Sequence, residues 1–259
     1  MDIFIKTTGS DFQKRVADIL NSPLLSLDNT YIKNNAEILF TENQTAVNPT
    51  NLRHSPKPKS SIQRSLLDST MRNLSVLLNK TQPTLDFGGK KHYHKLFGFN
   101  ESNYHIANIE TNSEYKLDMN SPKFNINKKY KSVISINSLF LIENIRACID
   151  NIIGVLDKDG IAILDFIGQT YWYHGPDGQH CHTFNPTQIN NLIDNQLNFV
   201  IVPIGNTYLA SLNYFIKTNL FLKKHWKLRR LIRKILMNIF SRTKNPNTAI
   251  HYLLVGMKK

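Results

Sequence analysis

PTLDFGGKKHYHKLF, residues 83–97, begins as a short β-rich apolar run, turns on two adjacent glycines and continues as a helix-forming stretch. A strand ending in Gly lets the backbone approach a ligand closely because no Cβ intervenes, and the amides that open the next helix can meet polar or anionic groups. Asp86, Gly88 and Gly89 occupy that junction. Downstream, apolar runs at Thr84–Phe87, Tyr104–Ile109, Ser132–Ile136, Ile161–Phe166, Phe199–Ile204 and Ile250–Val255 alternate with helical segments, the pattern of βαβ units. The expectation is a doubly wound α/β domain with a mainly parallel sheet. In such sheets ligands bind beyond the carboxyl ends of the strands, where the Gly88–Gly89 turn would lie.

Between the middle runs, Ser138–Leu156 reads as one long helix closed by the turn DKDG at 157–160. Thr187–Gln196 reads as a helix entered through Asn185 and Pro186, a capping residue followed by the proline suited to a first helical position. Upstream, residues 1–61 are rich in Asn, Ser and Thr and break at the proline-punctuated NPTNLRHSPKPKSS, 48–61. They are read as an N-terminal extension and linker, with room for a small β-hairpin in Ser22–Val47. Leu66, Leu67, Met71, Leu74, Leu77 and Leu78 recur at helical spacing within Ile62–Lys80, so a helix is expected to pack there on a main domain spanning 62–259.

The chain has 259 residues, 41% of them hydrophobic, enough to bury a full-sized core. Its first residues lack the basic, apolar and small-residue order of a secretion signal, and no run approaches 18 apolar residues, so a soluble cytoplasmic protein is expected. Cys148 and Cys181 are too few and too far apart for a zinc framework or a disulfide scaffold. Of the net charge of +13, twelve positive charges fall after Asp194, where no Asp or Glu occurs. An anionic partner should therefore bind the C-terminal quarter.

That quarter contains FIKTNLFLKKHWKLRRLIRKILMNIF, 215–240, within a basic insertion 208–244 before the last strand. Leu228, Leu231, Ile232, Ile235 and Ile239 form an apolar stripe at helical spacing, and Lys223, Lys224, Lys227, Arg229, Arg230, Arg233 and Lys234 supply a cationic face. This is the composition of an interfacial helix, expected to meet an anionic membrane surface and so to hold the protein on the inner membrane face. A helix packed on its own domain and a grip on RNA are the rival readings. Nucleic acid is the less favoured partner because the charge is confined to one amphipathic segment and no RNA-binding module is recognisable.

Taken in order, LDFGGKKHYHKLF, NYHIANIE, YKLDMNSPKF, YKSVISINSLFLIENI and GVLDKDGIAILDF resemble the successive motifs of class I S-adenosylmethionine (SAM) dependent methyltransferases of the type 11 kind, including those that accompany cell-envelope glycan assembly. HGPDGQHCHTFNPTQINNLI, 174–193, is similar to the loop and helix after the fifth strand of that family. The resemblance implies a Rossmann-like sheet with an antiparallel last strand and SAM as cofactor. It places Asp86, Gly88 and Gly89 around the amino acid part of SAM, Asn108 or Glu110 at the ribose, Asp118 at the adenine amino group, and Ser135 and Ile136 beside the cofactor.

Methyl transfer from a sulfonium is an in-line displacement in which alignment supplies much of the catalysis. A hydroxyl acceptor also needs a base, and the loop 171–184 offers His174, Asp177 and His182, with His174 first and His182 second. His174, His180, Cys181 and His182 are spaced too tightly for a closed tetrahedral metal site, so no metal is expected. Three functions stay open: O-methylation of a glycan or lipid-linked substrate, an inactive methyltransferase fold acting as a binding protein in an assembly complex, and RNA methylation.

Overall fold

The computed structural model describes residues 3–5, 10–21, 24–26, 62–89, 92–109, 113–168, 182–193, 195–206 and 249–259, with residues 211, 225, 228, 231, 232 and 235. The elements are β1 (Ile3–Ile5), α1 (Asp11–Leu20), β2 (Leu24–Ser26), α2 (Ile62–Leu74), β3 (Thr84–Phe87), α3 (His92–Phe97), β4 (Tyr104–Asn108), β5 (Tyr115–Lys116), β6 (Tyr130–Ser135), α4 (Ile145–Val155), β7 (Leu156–Ile167), α5 (Pro186–Ile193), β8 (Leu197–Ile204) and β9 (His251–Lys258).

Among the described residues the strands form one sheet in the order β2-β1-β8-β9-β7-β6-β3-β4-β5. From β5 across to β7 every pairing is parallel, and β9 inserts antiparallel between β7 and β8. This is the doubly wound Rossmann-like sheet with an antiparallel last strand. Two short N-terminal strands extend it, with β1 antiparallel to β8 and β2 parallel to β1.

Side chains alternate across the strands, and each face of the sheet has its own core. On one face Val16, Leu67, Met71 and Leu74 of the N-terminal helices meet Ile134, Ile163, Val200 and Leu253. On the other, Ile149 and Ile152 of α4 and Ile189 of α5 meet Val133, Leu164, Phe199 and Leu254.

Several boundaries differ from the sequence reading, each for a local reason. The long helix expected over Ser138–Leu156 is divided: Leu139–Leu141 forms a 3₁₀ turn, and α4 begins only where the Asn144 side chain accepts from Ala147 N at 3.1 Å. DKDG does not separate helix from strand. Tyr130 pairs with Leu156 and Ser132 with Ile161, so residues 157–160 bulge within β7, helped by Asp159 at φ 56° and by Lys131, which bridges to Asp157 at 3.1 Å. The expected helix start at Asn185 is present as a reciprocal cap: Gln188 N donates to Asn185 Oδ1 and Asn185 N to Gln188 Oε1, both at 2.9 Å.

The N-terminal helix α1 was not foreseen. Ser10 and Gln13 form its capping box, and Gln13 Nε2 also donates to Phe199 O of β8 at 2.8 Å, which ties the helix to the sheet. Most of the possible hairpin in Ser22–Val47, and the linker Pro49–Ser61, lie outside the described residues. The strand described there, Leu24–Ser26, pairs parallel to Ile3–Ile5.

Candidate active site at the sheet's switch point

The chain runs from β3 outward to β4 and β5, then crosses back to lay β6 on the other side of β3. The strand order reverses at β3, and in doubly wound sheets the ligand site lies at such a switch point, beyond the carboxyl ends of the strands, here β3 and β6. Two loops stand there: Gly88–Gly89 after β3, and Ile136–Ser138 after β6. They approach closely, because a Cβ at Gly88 would strike Ser138 Oγ, and Met119 borders the same glycine. Gly88 also has φ +71°, a conformation that disfavours any side chain, and its N–H donates to Ala107 O of β4 at 2.8 Å.

Asp86 sits beneath this turn, wholly buried. Tyr104 Oη donates to its Oδ2 at 2.5 Å. Among the described residues its Oδ1 has no hydrogen-bond partner, and a Cβ at Gly89 would run into the carboxylate. Burial raises the Asp86 carboxyl to about 7, against the opposing pull of the Tyr104 hydroxyl and of the Arg64 charge. The Tyr104 phenol is pushed up in turn by its own burial and by the neighbouring carboxylate.

The other cofactor-side residues divide into three groups. Asn108 joins the turn directly, donating from Nδ2 to Gly89 O at 3.3 Å while Oδ1 accepts from Ile109 N at 2.7 Å. Ser135, wholly buried, donates from Oγ to Phe87 O at 3.3 Å and clips β6 to β3, and the Ile136 carbonyl accepts from Ser138 Oγ at 3.1 Å. Asp118 is exposed and accepts from Asn120 N at 2.9 Å, in the turn that carries Met119 to Gly88. Glu110, His174 and Asp177 lie outside the described residues. His182 is exposed, its ring 6.2 Å from that of Phe184, and its N–H donates to Phe140 O at 2.9 Å, on the loop that follows β6.

A second polar cluster at the same end of the sheet was missed. Asp165 of β7 is 1% exposed, and His251, the first residue of β9, is 5% exposed; Nδ1 of His251 pairs with Asp165 Oδ1 at 3.0 Å. The backbone N–H of Asn137, a residue at φ 54°, donates to Asp165 Oδ2 at 3.1 Å. With the Asn137 amide oriented to satisfy both of its ends, Nδ2 donates to the same oxygen at 3.3 Å and Oδ1 accepts from Arg64 Nη1 at 2.6 Å. Arg64, in the first turn of α2, also donates to Asp68 at 2.8 Å, and its charge acts on Asp86. A chain of polar contacts therefore runs from His251 at the start of β9 through Asp165 and Asn137 to Arg64. One signal was present in GIAILDF: a carboxylate inside an otherwise apolar strand needs buried partners. Its partner His251 lies 86 residues further along the chain, and no local pattern joins the two.

No protein-family model and no curated protein sequence matches the chain. Its fold is similar to solved methyltransferase structures at low identity. The N-methyltransferase NodS from Bradyrhizobium japonicum, solved with S-adenosyl-L-homocysteine, is 11% identical over 81% of this chain and 95% of its own, with a TM-score of 0.48. Coclaurine N-methyltransferase is 12% identical over 78% of this chain and 75% of its own, with a TM-score of 0.45. The magnesium protoporphyrin IX methyltransferase from Synechocystis, solved with bound SAM, is 11% identical over 98% of this chain and 100% of its own, with a TM-score of 0.44.

Proposed function

We propose that this chain is a SAM-dependent methyltransferase whose acceptor is a hydroxyl of a glycan or lipid-linked molecule. Asp86 carries the reading: a wholly buried carboxyl at the switch point, one of whose oxygens lacks a partner among the described residues, beside glycines that leave no room for a side chain. Leaving such an atom unpaired costs about 1–3 kcal/mol, a cost that a ligand group can offset. The residues present fit the cofactor. Asp86, Gly88 and Gly89 would hold its amino acid part, with Asn108 at the end of β4 for the ribose hydroxyls. When bound, SAM supplies a methyl group activated by its sulfonium charge, for which orientation matters more than a covalent enzyme intermediate.

The chain's own residues then have a proton to manage. Asp165 pairs with Nδ1 of His251 and orients its ring. We assign His251 the removal of the acceptor hydroxyl proton and Asp165 and Asn137 its orientation. A base so placed contributes about 10²–10⁴-fold in rate. His182 stands on the loop beside β6 as the alternative base.

Calorimetric titration with SAM at pH 6.5, in two buffers of different ionisation heat, tests the cofactor reading. A cation brought to Asp86 should release about three quarters of a proton from a carboxyl near 7. Absence of binding at millimolar SAM would end the enzyme reading and leave the fold as a binding module.

A further inference from the structure

Leu228, Leu231, Ile232 and Ile235 are helical and recur at the i, i+3, i+4, i+7 spacing of a single face. They are not equally covered. Ile232 is partly buried and packs against the core of α1, α2 and the sheet, whereas Leu228, Leu231 and Ile235 are 38%, 55% and 48% exposed. Ile232 thus seats one edge of the stripe on the domain, and the rest faces outward. Large aliphatic side chains exposed together on one helix face mark an interaction surface.

Charge decides what covers it. The sequence around the stripe carries Lys223, Lys224, Lys227, Arg229, Arg230, Arg233 and Lys234, with no Asp or Glu anywhere after Asp194. A second copy of this chain would bring cations against cations. A nucleic acid would satisfy the cations and leave the Leu and Ile side chains in water. A bilayer with anionic headgroups meets both demands, because phosphates face the cations while acyl chains take the aliphatic stripe. Seven Lys and Arg side chains within residues 223–234 are too many for a membrane span, so the contact is lateral.

We propose that the Leu228, Leu231 and Ile235 face docks on an anionic lipid bilayer with the helix lying in the surface plane. The segment leaves the sheet after β8 and returns at β9, and both junctions lie at the carboxyl end of the parallel strands. The inference does not depend on the cofactor reading.

Flotation of the full chain with phosphatidylcholine vesicles containing one-third phosphatidylserine, against pure phosphatidylcholine vesicles, provides the test. At least tenfold stronger binding to the anionic vesicles is expected. The double variant Leu231→Glu, Ile235→Glu alters exposed positions, so it should keep the wild-type melting temperature while losing at least tenfold in vesicle binding. Equal binding to both vesicle types, or undiminished binding by the variant, overturns the proposal. So does concentration-dependent dimerisation that the double variant abolishes, or retention of a random RNA that the variant weakens without any vesicle binding by the wild type.

Discussion

Replacing Asp86 by Asn tests the electrostatics of the switch point without touching its shape. Asn has nearly the same volume, and its carbonyl oxygen can still accept from Tyr104 Oη, but it cannot ionise. In the wild type the folded carboxyl titrates near 7 against an ordinary value of 3.8. Because the folded value is the higher one, the native state holds its proton more tightly than the unfolded chain. The stability this contributes is fully present below pH 3.8 and is lost as pH rises through about 7. Across that interval, at about 1.4 kcal/mol per pH unit, wild type should lose roughly 4 kcal/mol relative to Asp86→Asn. Urea unfolding of both proteins at half-unit steps from pH 4 to pH 8 reads this directly. With a slope of about 3 kcal/mol/M, the difference between their midpoints should change by more than about 1 M. Midpoints that move in parallel across the whole range would show that Asp86 is not the desolvated carboxyl described above.

Other expectations follow from single contacts. Gly89→Ala places a methyl group against the Asp86 carboxylate and should weaken SAM binding at least tenfold by calorimetry; unchanged affinity would remove the turn from the cofactor site. His251→Ala leaves the buried Asp165 Oδ1 without its ring partner and should cost about 1–3 kcal/mol by denaturant unfolding, while a neutral result would mean that water or another group replaces it. Gln13→Ala breaks the buried bond from α1 to Phe199 O and should cost about 1 kcal/mol or more on the same assay. In a Cys181→Ser background the remaining thiol, Cys148, is buried and pushed up to about 12 by that burial, so it should react with a thiol reagent at pH 8 only on unfolding.

The legible parts of the fold were those written in local periodicity. Thr84–Phe87 was placed at both ends, and β4, β6, β8 and β9 within a few residues, because β-rich runs between turn signals are local features. The helix α1 escaped notice although Phe12, Val16, Ala17 and Leu20 follow helical spacing, since the Asn- and Ser-rich composition around it suggested an extension without a core. In the site, the glycine turn and Asp86 were readable because a strand, a carboxylate and two glycines adjoin in sequence. The pair of Asp165 and His251 was not, because it is made by β9 entering antiparallel beside β7, a tertiary event that brings Ile167 opposite His251. The split of the expected long helix turned on Asn144, whose side chain offers a cap that a continuous apolar pattern conceals.

The two N-terminal strands have a consequence for how this protein can be shortened. β8 spans eight residues, all but one of them buried, and β1 pairs with the flank that β9 leaves uncovered. Cutting the chain before Ile62 would expose a greasy, hydrogen-bond-hungry ribbon rather than release a trimmed catalytic unit, and such ribbons recruit one another. The first residues act as a seal against self-association, so fragments lacking them should precipitate on expression even though every proposed site residue is retained.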